Sequence, residues 1–358
     1  GGFFYFLGGP RPTKEPVRTV LRPSKKFFLG RSDCFSNPFF LCSRHFFFSC
    51  FPHKYVYFRL CALSLKIFRF RVYLFTFVCE RKMSTLRVSL CQMAVEKSKE
   101  SNLSKAVGMI AAAAKRGSNL AVLPECFMCP YGTKYFDEYA EEIRPGCPTY
   151  DSISKVAKES NIWVVAGSMP ERSGGKLYNS SMVFDSAGNL RHVHRKVHLF
   201  QIHSETVQMD EGEVLTAGNT AIPVSMNDKI KFGVGICFDV RYPPLAWKYA
   251  QEGTSFLVYP GAFNMFTGPI HWELSARARA MDNQQYVLLC SPARDPNAEY
   301  VAWGHSMVTD PLGRVIATAE EGEAYVDAEL DFDLIKDARK RIPIIDGTRN
   351  DIYSLRWQ

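Results

Sequence analysis

Cys237 lies where the chain could hold a reactive thiol. It directly follows the apolar segment Phe232–Ile236, whose glycines and β-branched residues are typical of a strand buried on both faces. The prolines Pro243 and Pro244 then open an apolar-periodic segment typical of a helix. A thiol between a buried strand and a helix start lies near unpaired N–H groups and a positive dipole end, which favour a thiolate and can stabilise an oxyanion. The alternative is a cysteine that serves only as a small buried hydrophobic residue.

Two further residues with useful chemistry also follow predicted strands. Glu125 comes directly after Leu120–Leu123, and Lys196 comes after Asn189–His194. Ligands of open α/β sheets bind beyond the carboxyl ends of the strands, so both side chains are predicted to converge there with Cys237. A carboxylate can take the thiol proton, and an ammonium can lower the thiol pKa and hold an oxyanion. Taken singly, Glu125 could instead cap a helix, and Lys196 could be one member of a basic loop.

The elements that must position these residues alternate between strand and helix. The patterns predict further strands at Arg87–Ala94, Ile162–Gly167, Lys176–Phe184, Phe256–Tyr259, Tyr286–Ser291, Ser306–Thr309, Val315–Thr318 and Ala324–Leu330. They predict helices from a cap at Ser101 or Asn102 to Arg116-Gly117, and at Tyr150–Ser160, Trp272–Asn283 and Phe332–Arg341. Because no short repeat or long linker interrupts this order, we expect one α/β domain with a sheet buried under helices.

The chain joins two kinds of polypeptide at Met83. Residues 1–82 hold 15 of the 44 Lys+Arg, 3 of the 36 Asp+Glu and 17 of the 27 phenylalanines. This leaves 29 basic and 33 acidic residues in 83–358, a slightly acidic domain without the basic stripe of a nucleic-acid-binding protein. We interpret residues 1–82 as an atypical basic, Phe-rich extension that is translated non-coding sequence or disordered. A genuine membrane-adherent extension is the alternative; a transit peptide would be richer in Ser and more amphipathic.

The cysteines favour a reducing compartment. Six of the 11 follow Met83 and are widely scattered, namely Cys91, Cys126, Cys129, Cys147, Cys237 and Cys290. Scattered thiols in a long chain predict the cytoplasm, with mitochondria as the alternative, and no disulfide framework. Cys126 and Cys129 form a CxxC, but no second CxxC or spaced histidine pair completes a zinc site, so no metal is predicted. No segment near the boundary approaches the roughly 20 apolar residues of a membrane helix, so no membrane partner is expected.

Six stretches after Met83 resemble the nitrilase superfamily of carbon–nitrogen hydrolases, and closely its ω-amidase branch. They are LPECFMCPYG at 123–132, KLYNSSMVF at 176–184, RKVHLF at 195–200, GICFDVRYPPLA at 235–246, YPGAFNMFTGPIHWEL at 259–274, and SPARD at 291–295 followed by YVAWGHSMV at 300–308. The superfamily's catalytic Glu, Lys and Cys fall on Glu125, Lys196 and Cys237. The resemblance extends to Tyr353 and excludes residues 1–82.

The resemblance implies a fold, an assembly and two further site residues. The implied fold is a four-layer αββα sandwich, two sheets covered by helices, completed when two subunits pack helix face to helix face as a homodimer. The implied enzyme needs neither a metal nor another cofactor. The family's second carboxylate, which positions substrate and assists proton transfer, corresponds to Glu211; Asp210 is the alternative because the loop Gln201–Met209 is one residue shorter than the ω-amidase pattern. Phe238 replaces the usual tyrosine after the nucleophile and keeps its backbone N–H for an oxyanion.

The implied substrate is a small carboxylated amide of the α-ketoglutaramate or α-ketosuccinamate type, cleaved to acid and ammonia through a thioester on Cys237. Its α-carboxylate requires a cation, for which Arg241, Arg277 and Arg279 are candidates because a guanidinium can hold a carboxylate bidentately. On a helix, Arg277 and Arg279 point about 200° apart, so they cannot both face one pocket. Tyr131, just after Glu125, is a candidate pocket wall, with a core aromatic as the alternative.

Other functions compete with this one. The nearest is another amidase of the superfamily, acting on N-carbamoyl compounds or on deaminated glutathione. A Cys–His peptidase is a rival from a different mechanism class, because His194, His198 and His203 lie near Lys196 in the sequence. A non-catalytic binding protein on a hydrolase fold is a third, although the intact Glu, Lys and Cys argue against it.

Overall fold

The computed structural model describes residues 85–203 and 208–356. The strands, in chain order, are β1 Thr85–Gln92, β2 Leu120–Val122, β3 Trp163–Ser173, β4 Lys176–Phe184, β5 Leu190–Arg195, β6 Gln201–His203, β7 Gln208–Asp210, β8 Val224–Ser225, β9 Lys231–Val234, β10 Phe256–Pro260, β11 Tyr286–Cys290, β12 Met307–Thr309, β13 Val315–Thr318 and β14 Ala324–Asp331. The helices are α1 Lys99–Lys115, α2 Thr133–Tyr139, α3 Pro148–Glu159, α4 Pro243–Gln251, α5 Gly268–Asn283 and α6 Phe332–Arg341. The prediction for residues 1–82 lies outside the described residues.

The strands form two six-stranded mixed sheets rather than the single sheet that the pattern alone suggested. The first has the order β14-β1-β2-β3-β4-β5, and the second has the order β13-β12-β11-β10-β9-β8. Each has a parallel centre, β1-β2-β3 in one and β9-β10-β11 in the other, with antiparallel strands at its edges. A separate hairpin joins β6 and β7. Parallel centres place several strand ends, and the loops after them, at the same edge of each sheet.

Alternation along the strands sorts side chains into three apolar layers. Val88 and Leu90 of β1 pack between the sheets with Phe232 and Val258 of the second sheet. The opposite face of the first sheet packs on α1 and α3, and the outer face of the second sheet packs on α4 and α5. The result is the predicted αββα sandwich. All four layers come from one chain, so the expectation that a second subunit completes them is wrong.

Several predicted elements are confirmed, and a few boundaries are corrected. Helix α6 has the predicted bounds. The predicted strands Lys176–Phe184 and Asn189–His194 correspond to β4 and β5, which pair antiparallel with Ser181 opposite His194. The cap of α1 is Ser98, whose side chain accepts a hydrogen bond from the Ser101 N–H, rather than Ser101 or Asn102. Asn102 is buried and bonds to the backbone of Glu96 instead. The pattern missed α2 and the β6–β7 hairpin. Within the described residues, no helix combines the length and apolar character needed to cross a bilayer.

Candidate active site

Glu125, Lys196 and Glu211 form one buried charged cluster beyond the strand ends. Lys196 Nζ lies 3.0 Å from Glu125 Oε1 and 2.9 Å from Glu211 Oε2, and all three side chains are fully buried. Each comes from a loop: Glu125 follows β2, Lys196 follows β5, and Glu211 begins a short turn after β7. One ammonium thus faces two carboxylates without water between them. Such a cluster persists only because every member is paired.

Glu125 is held by three hydrogen-bond donors. Its Oε1 accepts from Lys196 Nζ and, at 2.9 Å, from Asn179 Nδ2, while its Oε2 accepts from the Ala262 N–H at 2.9 Å. Burial raises the pKa of Glu125 above its usual value; the charge of Lys196 lowers it and that of Glu211 raises it. A carboxyl with a raised pKa can both accept and return a proton near neutral pH, which is what a general acid–base group needs.

Glu211, not Asp210, is the second carboxylate of the cluster. It bonds to Lys196, accepts the Phe200 N–H at 2.7 Å, and accepts the Tyr131 hydroxyl at 2.8 Å. Asp210 instead caps the turn by accepting the Gly212 N–H and bonds to the exposed Gln201. The shorter loop therefore leaves Glu211 in the buried position.

The charge of Lys196 is fixed by its partners. Burial alone would lower its pKa, but the negative charges of Glu125 and Glu211 raise the pKa of Lys196 well above the usual lysine value. The raised pKa therefore favours the ammonium form of this side chain. A permanent buried cation beside a thiol can stabilise an oxyanion, and it cannot act as a proton acceptor.

Cys237 lies on a sharp turn next to this cluster. It is the first residue of the 3₁₀ turn Cys237–Arg241, so it lies between the buried strand β9 and the start of α4, as predicted, with the short turn leading into the helix. Its φ is +45°, a left-handed conformation that costs about 1–3 kcal/mol in a non-glycine residue and is common at functional sites. A Cβ on Gly261 would lie 3.2 Å from Cys237 Cα, a tight contact, so glycine favours the close approach of the loop after β10.

The Cys237 thiol interacts with Glu125. Burial and the negative charge of Glu125 raise the pKa of Cys237 well above its usual value, while Lys196 and the Ala262 N–H lower it. The raised pKa favours a neutral thiol over a thiolate in the resting site. This arrangement suits transfer of the thiol proton to Glu125 as the sulfur attacks, rather than a preformed thiolate.

Comparison with known proteins identifies the family. The family model described as carbon–nitrogen hydrolase matches residues 87–340. The chain belongs to the carbon–nitrogen hydrolase family. It is 48% identical over 274 residues to omega-amidase NIT2 of Xenopus tropicalis, covering 76% of this chain and 98% of that protein. It is 49% identical over 269 residues to a hydrolase of Schizosaccharomyces pombe, covering 75% of this chain and 83% of that protein.

Solved structures agree with this assignment. The crystal structure of Saccharomyces cerevisiae Nit3, described as a member of branch 10 of the nitrilase superfamily, matches with a TM-score of 0.68 and 41% identity. The match covers 74% of this chain and 96% of Nit3. The predicted nitrilase-like fold and the resemblance to the ω-amidase-like branch are confirmed, and this carbon–nitrogen hydrolase is an amide-hydrolysing enzyme.

The histidines near Lys196 bond to a buried aspartate. Asp239, in the turn after Cys237, accepts His194 Nε2 at 3.2 Å, His198 Nδ1 at 2.7 Å, and the N–H groups of His198 and Ile236 at 2.9 Å each. Burial would raise the pKa of Asp239, but the hydrogen bonds from His194 and His198 lower it strongly. His203 is exposed. The carbon–nitrogen hydrolase therefore uses these two histidines to hold Asp239, which removes the basis for a Cys–His peptidase.

The three candidate arginines lie in different surroundings, and Arg241 is near enough to Cys237 for their charges to interact. Arg241 is half-buried, stacks 4.5 Å over the Phe263 ring, and bonds to His271 Nδ1 at 3.0 Å. Arg277 is exposed and bonds to the Gly313 carbonyl, so its candidacy is corrected. Arg279 is buried and donates to the Val240 carbonyl at 2.9 Å, so it supports the turn Cys237–Arg241. Its candidacy for the substrate carboxylate is therefore corrected as well. The predicted divergence of these two helix residues is confirmed.

The carbon–nitrogen hydrolase has a cavity of about 290 Å³ beside Glu125, which we call the rear cavity. Its wall includes Glu125, Tyr131, Tyr300, Cys126 and Cys129, but not Cys237 or Lys196. Tyr131 and Tyr300, with ring centroids 4.5 Å apart, also line an adjoining outer cavity of about 520 Å³. Tyr131 is therefore both a wall of these cavities and a hydrogen-bond partner of Glu211.

Sequence reasoning missed three groups that this site uses. Asn179 and the Ala262 N–H hold Glu125, and Asp239 joins the loops of Cys237 and Lys196. Each lies within a matched stretch, which was the available signal. The ring of Phe238 packs edge-on against Phe200 and Tyr242, so the residue that replaces tyrosine still fills an aromatic cluster.

Proposed function

We propose that this enzyme hydrolyses the terminal amide of small carboxylated amides, of the α-ketoglutaramate or α-ketosuccinamate type, to an acid and ammonia through a thioester on Cys237. The single observation that carries the proposal is the buried cluster in which Lys196 bridges Glu125 and Glu211 beside Cys237. The relatives at about half identity that bear the name omega-amidase support the substrate class.

Acylation begins with the neutral thiol. Glu125 takes the proton from Cys237 as the sulfur attacks the amide carbon and the carbonyl π electrons move to oxygen. The oxyanion is held by the Lys196 ammonium and by the Phe238 N–H. The oxyanion then collapses, the C–N bond breaks, and Glu125 returns the proton to the departing nitrogen, which leaves as ammonia. The protons and electron pairs of this step balance with the substrate and these residues alone.

Deacylation repeats the same proton transfer with water. Glu125 takes a proton from a water molecule that attacks the thioester carbon, and Lys196 and the Phe238 N–H again hold the oxyanion. The C–S bond then breaks, and the proton on Glu125 returns to the Cys237 sulfur. Glu211 positions Lys196 and assists proton transfer, and the Tyr131 hydroxyl holds Glu211 in place.

Arg241 meets the substrate carboxylate. It is near enough to Cys237 for their charges to interact, and burial lowers its pKa without removing its charge. Two aromatic rings, Phe263 and Phe238, flank its guanidinium and limit hydration. A carboxylate bound there receives a charge-assisted hydrogen bond in a partly dry site, which is stronger than the same contact in water.

The partner of this enzyme is a second copy of the chain. Helix α5 exposes Ile270, Leu274 and Met281, each more than half exposed, and the nearby Phe266 is 59% exposed. Large apolar side chains clustered on one face are typical of an interaction surface. Light scattering of the wild type should give twice the mass of one chain. The Leu274→Glu variant should give the mass of a single chain. A monomeric wild type would contradict the homodimer.

The hydrolase domain spans residues 83–358, and it works in the cytoplasm, with mitochondria as the alternative. The family match over residues 87–340 supports the extent. Six cysteines are free thiols in the structure, which fits a reducing compartment. Fractionation of cells, followed by mass spectrometry of the native protein, tests both points.

A panel of amides tests the substrate class. Ammonia release should be fastest with 2-oxo dicarboxylic acid monoamides and slow with the same amides lacking the α-carboxylate. Faster turnover of N-carbamoyl compounds or of deaminated glutathione would assign the enzyme to another amidase of the superfamily.

A further inference from the structure

Cys126 and Cys129 are not used by the proposed reaction, although Cys126 directly follows Glu125. The Cys129 N–H donates to the Cys126 carbonyl at 3.2 Å and closes a turn. The Cα atoms at the two ends of such a turn lie within about 7 Å, close to the range in which two cysteines can be bridged. Both side chains are 1% exposed and belong to one apolar cluster. The turn therefore holds two buried cysteines next to Glu125 in the chain, and their thiols are close enough to hydrogen-bond.

The rear cavity is lined by both cysteines. It is lined by Cys126 and Cys129 at its inner end and by the exposed Lys97, Asp295 and Glu299 at its outer end. An apolar cavity of about 150 Å³ can hold benzene, so the 290 Å³ here has room for a phenyl-sized group. A ligand that reaches the thiols in this cavity also contacts Glu125.

The number of donors decides which ligand fits. A structural zinc ion needs four ligands. Within residues 85–203 and 208–356, the one group of three or more side chains placed to hold a metal is His305, Glu320 and Glu321, which does not include this pair. Oxidation by a peroxide requires a thiolate, and the thiol of Cys129 and burial raise the pKa of Cys126 well above its usual value. The ligand must therefore bind through two protein sulfur atoms and must react with neutral thiols. A thiophilic atom that condenses with two thiols and needs no third protein ligand meets both requirements.

We propose that Cys126 and Cys129 form a dithiol site for a trivalent organoarsenical of the arsenoxide class, with its organic group in the rear cavity. The hydrated arsenoxide has two As–OH groups. Each thiol proton leaves with one hydroxide as water, so two As–O bonds break, two As–S bonds form, and arsenic remains trivalent. The second bond forms intramolecularly, at an effective concentration on the order of millimolar, and this makes the adduct stable. The adduct displaces Glu125 and thereby inhibits the enzyme. This expected inhibition rests on the proposed role of Glu125 as the general base.

Phenylarsine oxide added to the full chain tests this site. Intact mass and peptide mapping should show one phenylarsenic bridging Cys126 and Cys129, which a 1,2-dithiol removes and an equal concentration of a monothiol does not. Cys129→Ser should keep basal activity and should need roughly tenfold or more reagent for the same inhibition. Cys147→Ser is the matched control and should respond like the wild type.

Mapping separates this site from the other thiols. The five cysteines before Met83 remain in every variant, so they cannot explain a difference between Cys129→Ser and the wild type. Equal sensitivity of Cys129→Ser and the wild type, or an adduct found on Cys237 instead, would overturn the dithiol site. Because the adduct is read by mass, its formation is measured even if amide hydrolysis fails. An adduct at the pair without loss of activity would overturn only the link to Glu125.

Discussion

Asp239, two residues after Cys237, accepts both the N–H and the Nδ1 of His198, which stands two residues after Lys196. The same carboxylate accepts the Ile236 N–H just before the nucleophile and His194 Nε2 on the other side of Lys196. One buried side chain therefore fixes the Cys237 turn relative to the Lys196 loop. It also supports the left-handed conformation of Cys237, because it anchors the backbone on both sides of that residue.

Asp239→Asn should lower both kcat and stability. The amide NH₂ would face an N–H donor, and leaving one buried donor unpaired costs about 1–3 kcal/mol. The change acts on the positions of Cys237 and Lys196, so kcat should fall more than KM rises.

The stability difference should depend on pH. Because the pKa of Asp239 is lowered on folding, its stabilisation is fully present above an unfolded-state pKa of about 3.9 and is lost progressively as pH falls from there towards the lower folded-state pKa. Denaturant unfolding of wild type and Asp239→Asn should therefore differ most near neutral pH and converge below about pH 4. A difference that grows on acidification would contradict this role.

Lys196→Met should lose about 100- to 1000-fold in kcat, the usual result of removing one oxyanion donor. It should also lose stability, since two buried carboxylates are left without their counter-charge, a loss of about 3–5 kcal/mol. The double variant Lys196→Met/Glu211→Gln removes one of those charges. It should regain part of the thermal stability without regaining activity. Recovery of kcat in the double variant would show that Lys196 acts only in folding.

Glu211→Gln should move the acid limb of the pH profile. Activity requires ionised Glu125, so kcat/KM falls as pH drops through the pKa of Glu125. The charge of Glu211 raises that pKa, and its removal should shift the limb to lower pH. Glu213→Gln, in the same turn but outside the cluster, is the control and should leave the limb in place. An upward shift in Glu211→Gln would contradict the coupling.

Arg241→Met should weaken binding of carboxylated amides. A hydrogen bond to a charged group is worth about 1.5–3 kcal/mol, so KM should rise roughly 10- to 150-fold. Neutral amides of the same length should be unaffected. Arg277→Met, at the exposed position on α5, is the matched control and should behave like the wild type. Equal losses with neutral and carboxylated amides would show that Arg241 only supports the fold.

The sequence located the strand ends and therefore the residues beyond them, because buried strands have a strong apolar pattern. It could not show which of Arg241, Arg277 and Arg279 is available to a substrate. Arg277 and Arg279 instead bond to the Gly313 and Val240 carbonyls, which are distant from them in sequence. The cap of α1 was misplaced for a local reason: Asn102 is a good cap by residue type, but its side chain is buried and donates to the Glu96 carbonyl. Backbone donors such as the Ala262 N–H cannot be recognised from residue type, because every residue except proline carries one.

Covalent trapping on Cys237 is the most direct test of the mechanism. The full-length enzyme is mixed with a 2-oxo dicarboxylic acid monoamide, quenched in acid and analysed by intact mass and peptide mapping, with ammonia measured in parallel. We predict an acyl group on Cys237 in the wild type and in Cys147→Ala, and neither acyl group nor ammonia in Cys237→Ala. Ammonia release by folded Cys237→Ala, or an acyl group on another residue, would contradict the mechanism.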